Sequence, residues 1–544
     1  MIATLALAGC KKYDNPPPVY EEPKTLNIVS RKVLIISIDG LPGAELQGIA
    51  PTNIMELKKN SKYSLSVLKS SVSTDASTWT SMVTGASYAN HSVSTDDFQI
   101  TPDPNAGEHD AVNIRRNILD YISSEKGTKT AVVTAYAGLR NYVKVADFSP
   151  VVSSDLAVKD STIALLANPQ LGVVVANFRE TITAGNDGGF IAGNPKFKTA
   201  VLKADEYIGN IMTAIKARKS YDKEDWLVLI TSNHGGNDAN PSSGFIMAYN
   251  KSIKEQELKK VGFNTVFFTG KNVYAAALND KGLYDAGNDK DFTVQMQIKV
   301  ITASPGYVGF LSKGNGYGAG TIGAVNGWTM GTWAKLWKPY YNGGYTGDQA
   351  TLTDGSWHTL TITMKRINTT TRNLIAYTDG IATVAAVNMN GKPMTSPEAL
   401  KIGWRNVDNN AAIDFYAGNL AYFQTALDEQ TIKTNLNLKD IKQHPNYNTL
   451  IGYWPMDEGA ESVFLNKAPT GYNMKIYGAF KWTALGQNAP SQSNVDANAA
   501  GYSLVSTSAD IGALTMYWMN VKILPEYGID GKPFLKDFEI EFLK

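Results

Sequence analysis

The chain of 544 residues has one cysteine, Cys10, and five histidines. A disulfide within the chain is excluded, and so is a CxxC metal site. No two of His91, His109, His234, His358 and His444 stand at metal-ligand spacing. An excess of one charge is missing too. With 51 basic and 50 acidic side chains, the net charge is +1. That removes the electrostatic footprint expected of a nucleic-acid or anionic-membrane binder. No run reaches the ~18 uninterrupted apolar residues of a spanning helix. Aromatic residues, by contrast, are plentiful, with 10 Trp and 27 Tyr. Their common use is a β-rich core, and their rarer use is a platform for sugars. The length predicts two or three domains.

The stretch Val33–Gly40 reads VLIISIDG. A continuous β-branched run of this kind predicts a strand buried on both faces, at the centre of a mostly parallel sheet. Sites in such sheets form at the carboxyl ends of the strands, where Asp39 stands. Strand and helix patterns alternate from Arg31 to about Tyr249, including TAVVTAY, LGVVVAN and WLVLIT. From Phe267 the texture becomes short alternating strands with Gly/Asn/Asp turns, and Asp379-Gly380 and Asn390-Gly391 predict hairpins. This all-β block predicts an antiparallel sandwich. Helical character returns at Asp510–Trp518, so the sandwich is expected to interrupt the α/β domain.

Four stretches resemble the alkaline phosphatase superfamily, in the branch of type I phosphodiesterases and nucleotide pyrophosphatases. They are VLIISIDG, TDASTWTSMVTG with the later His91, LITSNHGG, and ADIGALTMYWMNV with GIDGKPFL. DGSWHTLTI, YTDG and YWPMDEG resemble LamG or concanavalin A-like jelly rolls. Leu7-Ala8-Gly9-Cys10 resembles a bacterial lipobox, and the Pro-rich run after it reads as a tether. The division expected is a lipoprotein signal remnant over 1–10, a tether over 11–30, and an alkaline phosphatase-like domain over 31–265. A jelly roll follows over 266–486, and the closing part of the first domain over 487–544.

The resemblance implies two metal ions held by three Asp and three His, with a Thr or Ser nucleophile. Carried over one at a time, Asp39 matches the first carboxylate and His234 an imidazole. Asn233 replaces the carboxylate beside that imidazole, and a neutral amide is a poor substitute next to a dication. The nucleophile position falls on Asp75, with Thr74 one residue away as the fallback. Asn186 and Ile182 stand where the other pair of ligands belongs, and no histidine follows His444. Asp39, Asp75, Asn233 and His234 therefore read as a vestigial metal site, and no catalytic residue is expected. Glu180 and Asp187 read as loop carboxylates, and His91 as a structural hydrogen-bonding group.

No cofactor is expected, beyond a single divalent cation at the vestigial site or calcium in the jelly roll. The function expected is a non-catalytic cell-surface lipoprotein, anchored in the outer membrane at Cys10, that binds a glycan, a peptide or another nutrient ligand. Its partners, by the resemblance, are a TonB-dependent SusC-like transporter and a SusD-like lipoprotein. Trp328, Trp333, Trp337, Tyr340, Tyr341 and Tyr345 are the candidate ligand-stacking rings. An active phosphodiesterase or phosphatase using Thr74, and a docking subunit of a lipoprotein complex, are the alternatives.

Overall fold

A computed structural model describes residues 29–101, 114–269, 273–314, 326–333, 335–342, 344–346, 350–382, 385–403, 412–495 and 502–543. Cys10, the tether and His109 lie outside the described residues.

The first body is a seven-stranded sheet in which Ser30–Ile38 is an interior strand, third from one edge. Leu171–Phe178 and Glu224–Thr231 flank it, both parallel to it. Lys129–Thr134 continues the parallel set beyond Leu171–Phe178, while Ile246–Tyr249 runs antiparallel to Glu224–Thr231. The apolar run is continuous because Ser30–Ile38 is covered on both sides. Val33 and Ile35 pack on the core shared with Trp79 and Trp518. Leu34, Ile36 and Ile38 pack on the opposite core, against Phe197 and Ile208 of the long helix Pro195–Lys216. A period of two thus places Ser37 and Asp39 on the face of the helix Asp75–Thr84.

The second body is an antiparallel sandwich from Phe263 to Gly486. Phe292–Ala303, His358–Asn368 and Ile413–Phe423 lie at the centre of one sheet, and Val308–Gly314, Gly327–Trp333 and Leu336–Tyr341 belong to the other. Val294, Met296, Ile362, Phe310 and Trp337 fill one buried cluster between them. Asp379-Gly380 does turn a hairpin, pairing Thr378 with Ile381. Asn390-Gly391 forms a turn but no described strand pair follows it, because Pro393 lacks the donor a ladder needs. The helix Asp510–Trp518 returns the chain to the first body and packs on Asp75–Thr84.

The two bodies meet along an acidic seam. Ser70 donates to Glu461 at 3.0 Å, the Lys532 ammonium donates to the Gly459 carbonyl at 3.1 Å, and Lys260 pairs with Asp457 at 2.6 Å. Glu458 is buried beside them. One of its oxygens accepts from the Leu465 amide, and the other has no partner among the described residues. Burial pushes this carboxyl up to about 7, from an ordinary value of 4.5. A raised folded-state pKa means that the native chain holds the proton more tightly. The associated stability is complete below pH 4.5 and is lost as pH rises through about 7. Glu458→Gln is expected to flatten this fall and to stabilise the protein above pH 7 by on the order of 2 kcal/mol, read by denaturant titration at acid and alkaline pH.

Candidate functional site

The site is assembled at the carboxyl edge of the parallel strands. Ile38 pairs with Phe178, and the Asp39 amide donates to the Phe178 carbonyl at 2.9 Å. The next residue on the neighbouring strand, Arg179, therefore falls beside Asp39. Its guanidinium bridges two carboxylates, reaching Asp39 Oδ2 at 3.0 Å and Asp75 Oδ2 at 2.6 Å. It also lies over the Tyr136 ring, 4.3 Å from the centroid. Asp39 is fully buried and accepts further from Ser37 Oγ at 2.5 Å and Trp79 Nε1 at 3.0 Å. Burial raises the Asp39 carboxyl, while the Arg179 charge pulls the other way.

Asp75 is the first residue of the helix Asp75–Thr84. Its other oxygen accepts from Asn233 Nδ2 and from His234 Nε2, the latter at 3.1 Å. Burial pushes Asp75 up, but the His234 hydrogen bond and the Arg179 charge outweigh it and hold the carboxyl down at about 2. His234 also meets Asp238 Oδ1 at 3.2 Å. Burial pulls its pKa down, yet the bonds to Asp238 and Asp75 carry it up to about 9, so the ring is an imidazolium at neutral pH. Asn233 Oδ1 accepts from the amides of Gly40 and His234, which makes it a brace for the loop after the strand. The site thus carries the side-chain charges of Asp39, Asp75 and Asp238 against those of Arg179 and His234, and it nearly neutralises itself.

Thr74 is the N-cap of the same helix. Its hydroxyl accepts from the Ser77 amide at 3.2 Å and donates to the Ser94 carbonyl at 2.8 Å. Thr74→Ala is expected to cost about 1 kcal/mol of stability in a thermal or denaturant melt, as for loss of an N-cap.

The residues do not fit two metal ions. Arg179 fills the space between the two carboxylates that an ion would bridge. Ile182 and Asn186 lie on the short helix Glu180–Asn186, and Asn186 accepts from Asn237 at 2.7 Å. Asp75, His234 and Asp238 do bring one potential ligand atom each to within 4.8 Å of one another, with the His234 ring bonded to both carboxylates.

Asp238 and Arg179 are functional-site residues that the sequence reading missed. Asp238 sits four residues after His234, on the short hairpin formed by Gly235–Asn237 and Asn240–Ser242. Arg179 follows a strand immediately, which is the one sequence signal it offers.

Several other candidates lie away from this site. His91 Nε2 bonds Ser81 Oγ at 3.0 Å, and burial holds the ring at about 3. His358 is clamped between Asp379 at 2.8 Å and Asp354 at 3.1 Å in the sandwich. His444 packs on Phe423. Glu180 accepts from the Asp155 amide, and Asp187 pairs with Lys196.

The six aromatic candidates need correction. Trp328, Trp337, Tyr340 and Tyr341 are buried in the sandwich and offer no face to a ligand. Both sheet faces here are covered, so alternation along Gly327–Trp333 and Leu336–Tyr341 does not leave an outer row of rings. Trp333 stacks on Tyr307, and the buried Lys338 ammonium lies 4.4 Å from both the Trp333 and Tyr345 rings. Tyr345 alone of the six is exposed.

The type I phosphodiesterase / nucleotide pyrophosphatase family model matches residues 33–301. That match supports the alkaline phosphatase superfamily, in the type I phosphodiesterase branch, for the α/β body. The fold is α/β and alkaline phosphatase-like, with a β-sandwich set into it. A second model, of a domain of unknown function (DUF4983), matches residues 441–535, from the last sandwich strands through the closing helix.

No curated protein matches the sequence. Among solved structures, murine ectonucleotide pyrophosphatase / phosphodiesterase 5, an inactive variant in complex with AMP, is 17% identical with a TM-score of 0.31. The match covers 38% of this chain and 57% of the murine one. An alkaline phosphatase superfamily protein from Vibrio parahaemolyticus is 12% identical with a TM-score of 0.32, over 43% of this chain and 63% of that one. A suggested carbohydrate-binding protein from Bacteroides ovatus is 11% identical with a TM-score of 0.31, over 45% and 74%. With TM-scores this low, none of the three bears on activity. The chain spans little more than half the length of the murine protein.

Proposed function

We propose that this protein is a non-catalytic relative of the type I phosphodiesterases, displayed on the outer membrane by a lipid at Cys10, that binds a glycan. The observation that carries the non-catalytic part is the Arg179 guanidinium, bonded to Asp39 and Asp75 together. A side-chain cation there supplies the neutralising charge a metal would supply, but it activates no hydroxyl and has no open coordination position. Thr74, the fallback nucleophile, spends its hydroxyl on a cap and a carbonyl. The glycan part is supported by the likeness of the sandwich sequence to lectin-type jelly rolls. The accessory role beside a TonB-dependent SusC-like transporter and a SusD-like lipoprotein belongs to the same reading.

The test is metal content by atomic emission together with turnover of bis(p-nitrophenyl) phosphate. We expect substoichiometric metal, and hydrolysis by the wild type no faster than by Thr74→Ala. About two zinc ions per chain, with turnover abolished in Thr74→Ala, would overturn the reading.

A second reading, one bound divalent cation, rests on the potential ligand atoms of Asp75, His234 and Asp238. It requires His234 to lose a proton and Asp75 to release its donors. One bound ion that disappears in Asp238→Asn would favour it, whether or not turnover accompanies the ion.

A further inference from the structure

Of the six candidate rings only Tyr345 is exposed, and Lys338 already lies against it, so a fuller ligand site is sought elsewhere. A cleft of about 310 Å³ opens on the seam between the two bodies. Clefts of this size at a domain boundary are common ligand sites. The α/β body contributes Ser71, Tyr88 and Ser92, the last two on and just after the short helix Tyr88–His91. The sandwich contributes Leu278, Asn279, Asn473 and Lys475. Val463 and Ala276 are buried and give the cleft an apolar floor.

The chemistry of this lining is specific. A phenol ring, an apolar floor and several hydroxyl and amide groups suit a ligand with one apolar face and many hydroxyls. No carboxylate lines the cleft among the described residues, and Lys475 supplies its single cation. We infer that the seam cleft binds an acidic saccharide unit, with its carboxylate or sulfate toward Lys475 and one sugar face toward Tyr88. This rests on the glycan-binding reading and gives it a place and a ligand class. Both bodies line the cleft, so occupation would tie the sandwich to the α/β body.

The test uses the full chain in calorimetric titrations with three disaccharides: digalacturonic acid, a sulfated galactose disaccharide and neutral galactobiose. The wild type is expected to bind at least one acidic disaccharide about tenfold more tightly than the neutral one, as one charge-assisted contact allows. The first two arms decide between carboxylate and sulfate. Lys475→Gln is expected to remove that preference, and Tyr88→Ala to remove binding of the acidic disaccharide, both with unchanged melting temperature. Because Tyr88 packs edge-on against His91, Leu278→Trp, which narrows the cleft from an exposed position, serves as the independent variant. Binding that survives all three variants would overturn the cleft and leave the glycan reading standing. No binding of any disaccharide by the wild type would overturn both.

Discussion

Arg179→Ala is expected to lower the unfolding free energy by about 3–5 kcal/mol, the range found when one partner of a buried ion pair is removed. The Asp39 carboxylate has no solvent exposure, and Asp75 is nearly as buried. Without the guanidinium, both negative charges remain in low dielectric with only neutral donors and His234 nearby. One carboxyl must then take up a proton, or the loop must open to water. Metal ions should reverse the loss. Zinc or manganese that binds the vacated carboxylates only in the folded state adds about 2.7 kcal/mol at a hundredfold excess over its dissociation constant. The measurement is the melting temperature of wild type and variant with and without the ion. A rise confined to the variant is expected. A variant as stable as the wild type, or equal responses of the two proteins to metal, would sink the idea that Arg179 stands in for an ion. Arg179→Lys is expected to recover only part of the loss, because one ammonium cannot make the forked contact to two carboxylates.

Trp337→Ala is expected to cost about 3–5 kcal/mol, as for a large aromatic deleted from a core. Trp337 has no exposed surface, and its indole N–H donates to Thr378 Oγ1 at 2.8 Å, so the change leaves a cavity and an orphaned hydroxyl together. Tyr345→Ala should cost under about 1 kcal/mol, since that ring is 40% exposed. Denaturant titration of the two variants separates core from surface. Equal costs would mean that the sandwich does not bury its second sheet as described.

The architecture was legible where the periodicity was strong. VLIISI reads as a strand covered on both faces because four β-branched residues stand within six positions, and the structure buries every residue from Val33 to Ile38. The strand Ile413–Phe423 and the helix Asp510–Trp518 were equally plain. The site was half legible. Asp39, Asp75, Asn233 and His234 do meet in one place. Arg179 escaped because an arginine after a strand carries no pattern of its own. Its role depends on parallel register, which sets residue 179 beside residue 39 across 140 positions of sequence. The aromatic candidates were misplaced for a related reason. Composition shows that rings are present, but which sheet face is covered depends on long-range packing of the two sheets.

The strands by which the sandwich leaves and rejoins the α/β body lie side by side, with Phe263 opposite Gly486 and Lys259 bridged to Ser503. Chain ends this close can be joined by a short flexible bridge at little loop-closure cost. Geometrically the sandwich is therefore an insert attached to the α/β body at a single joint. Another module with neighbouring ends could replace it without re-routing the α/β backbone, at the expense of exposing the acidic seam. A module with its ends at opposite poles would first have to tear the Lys259–Ser503 bridge.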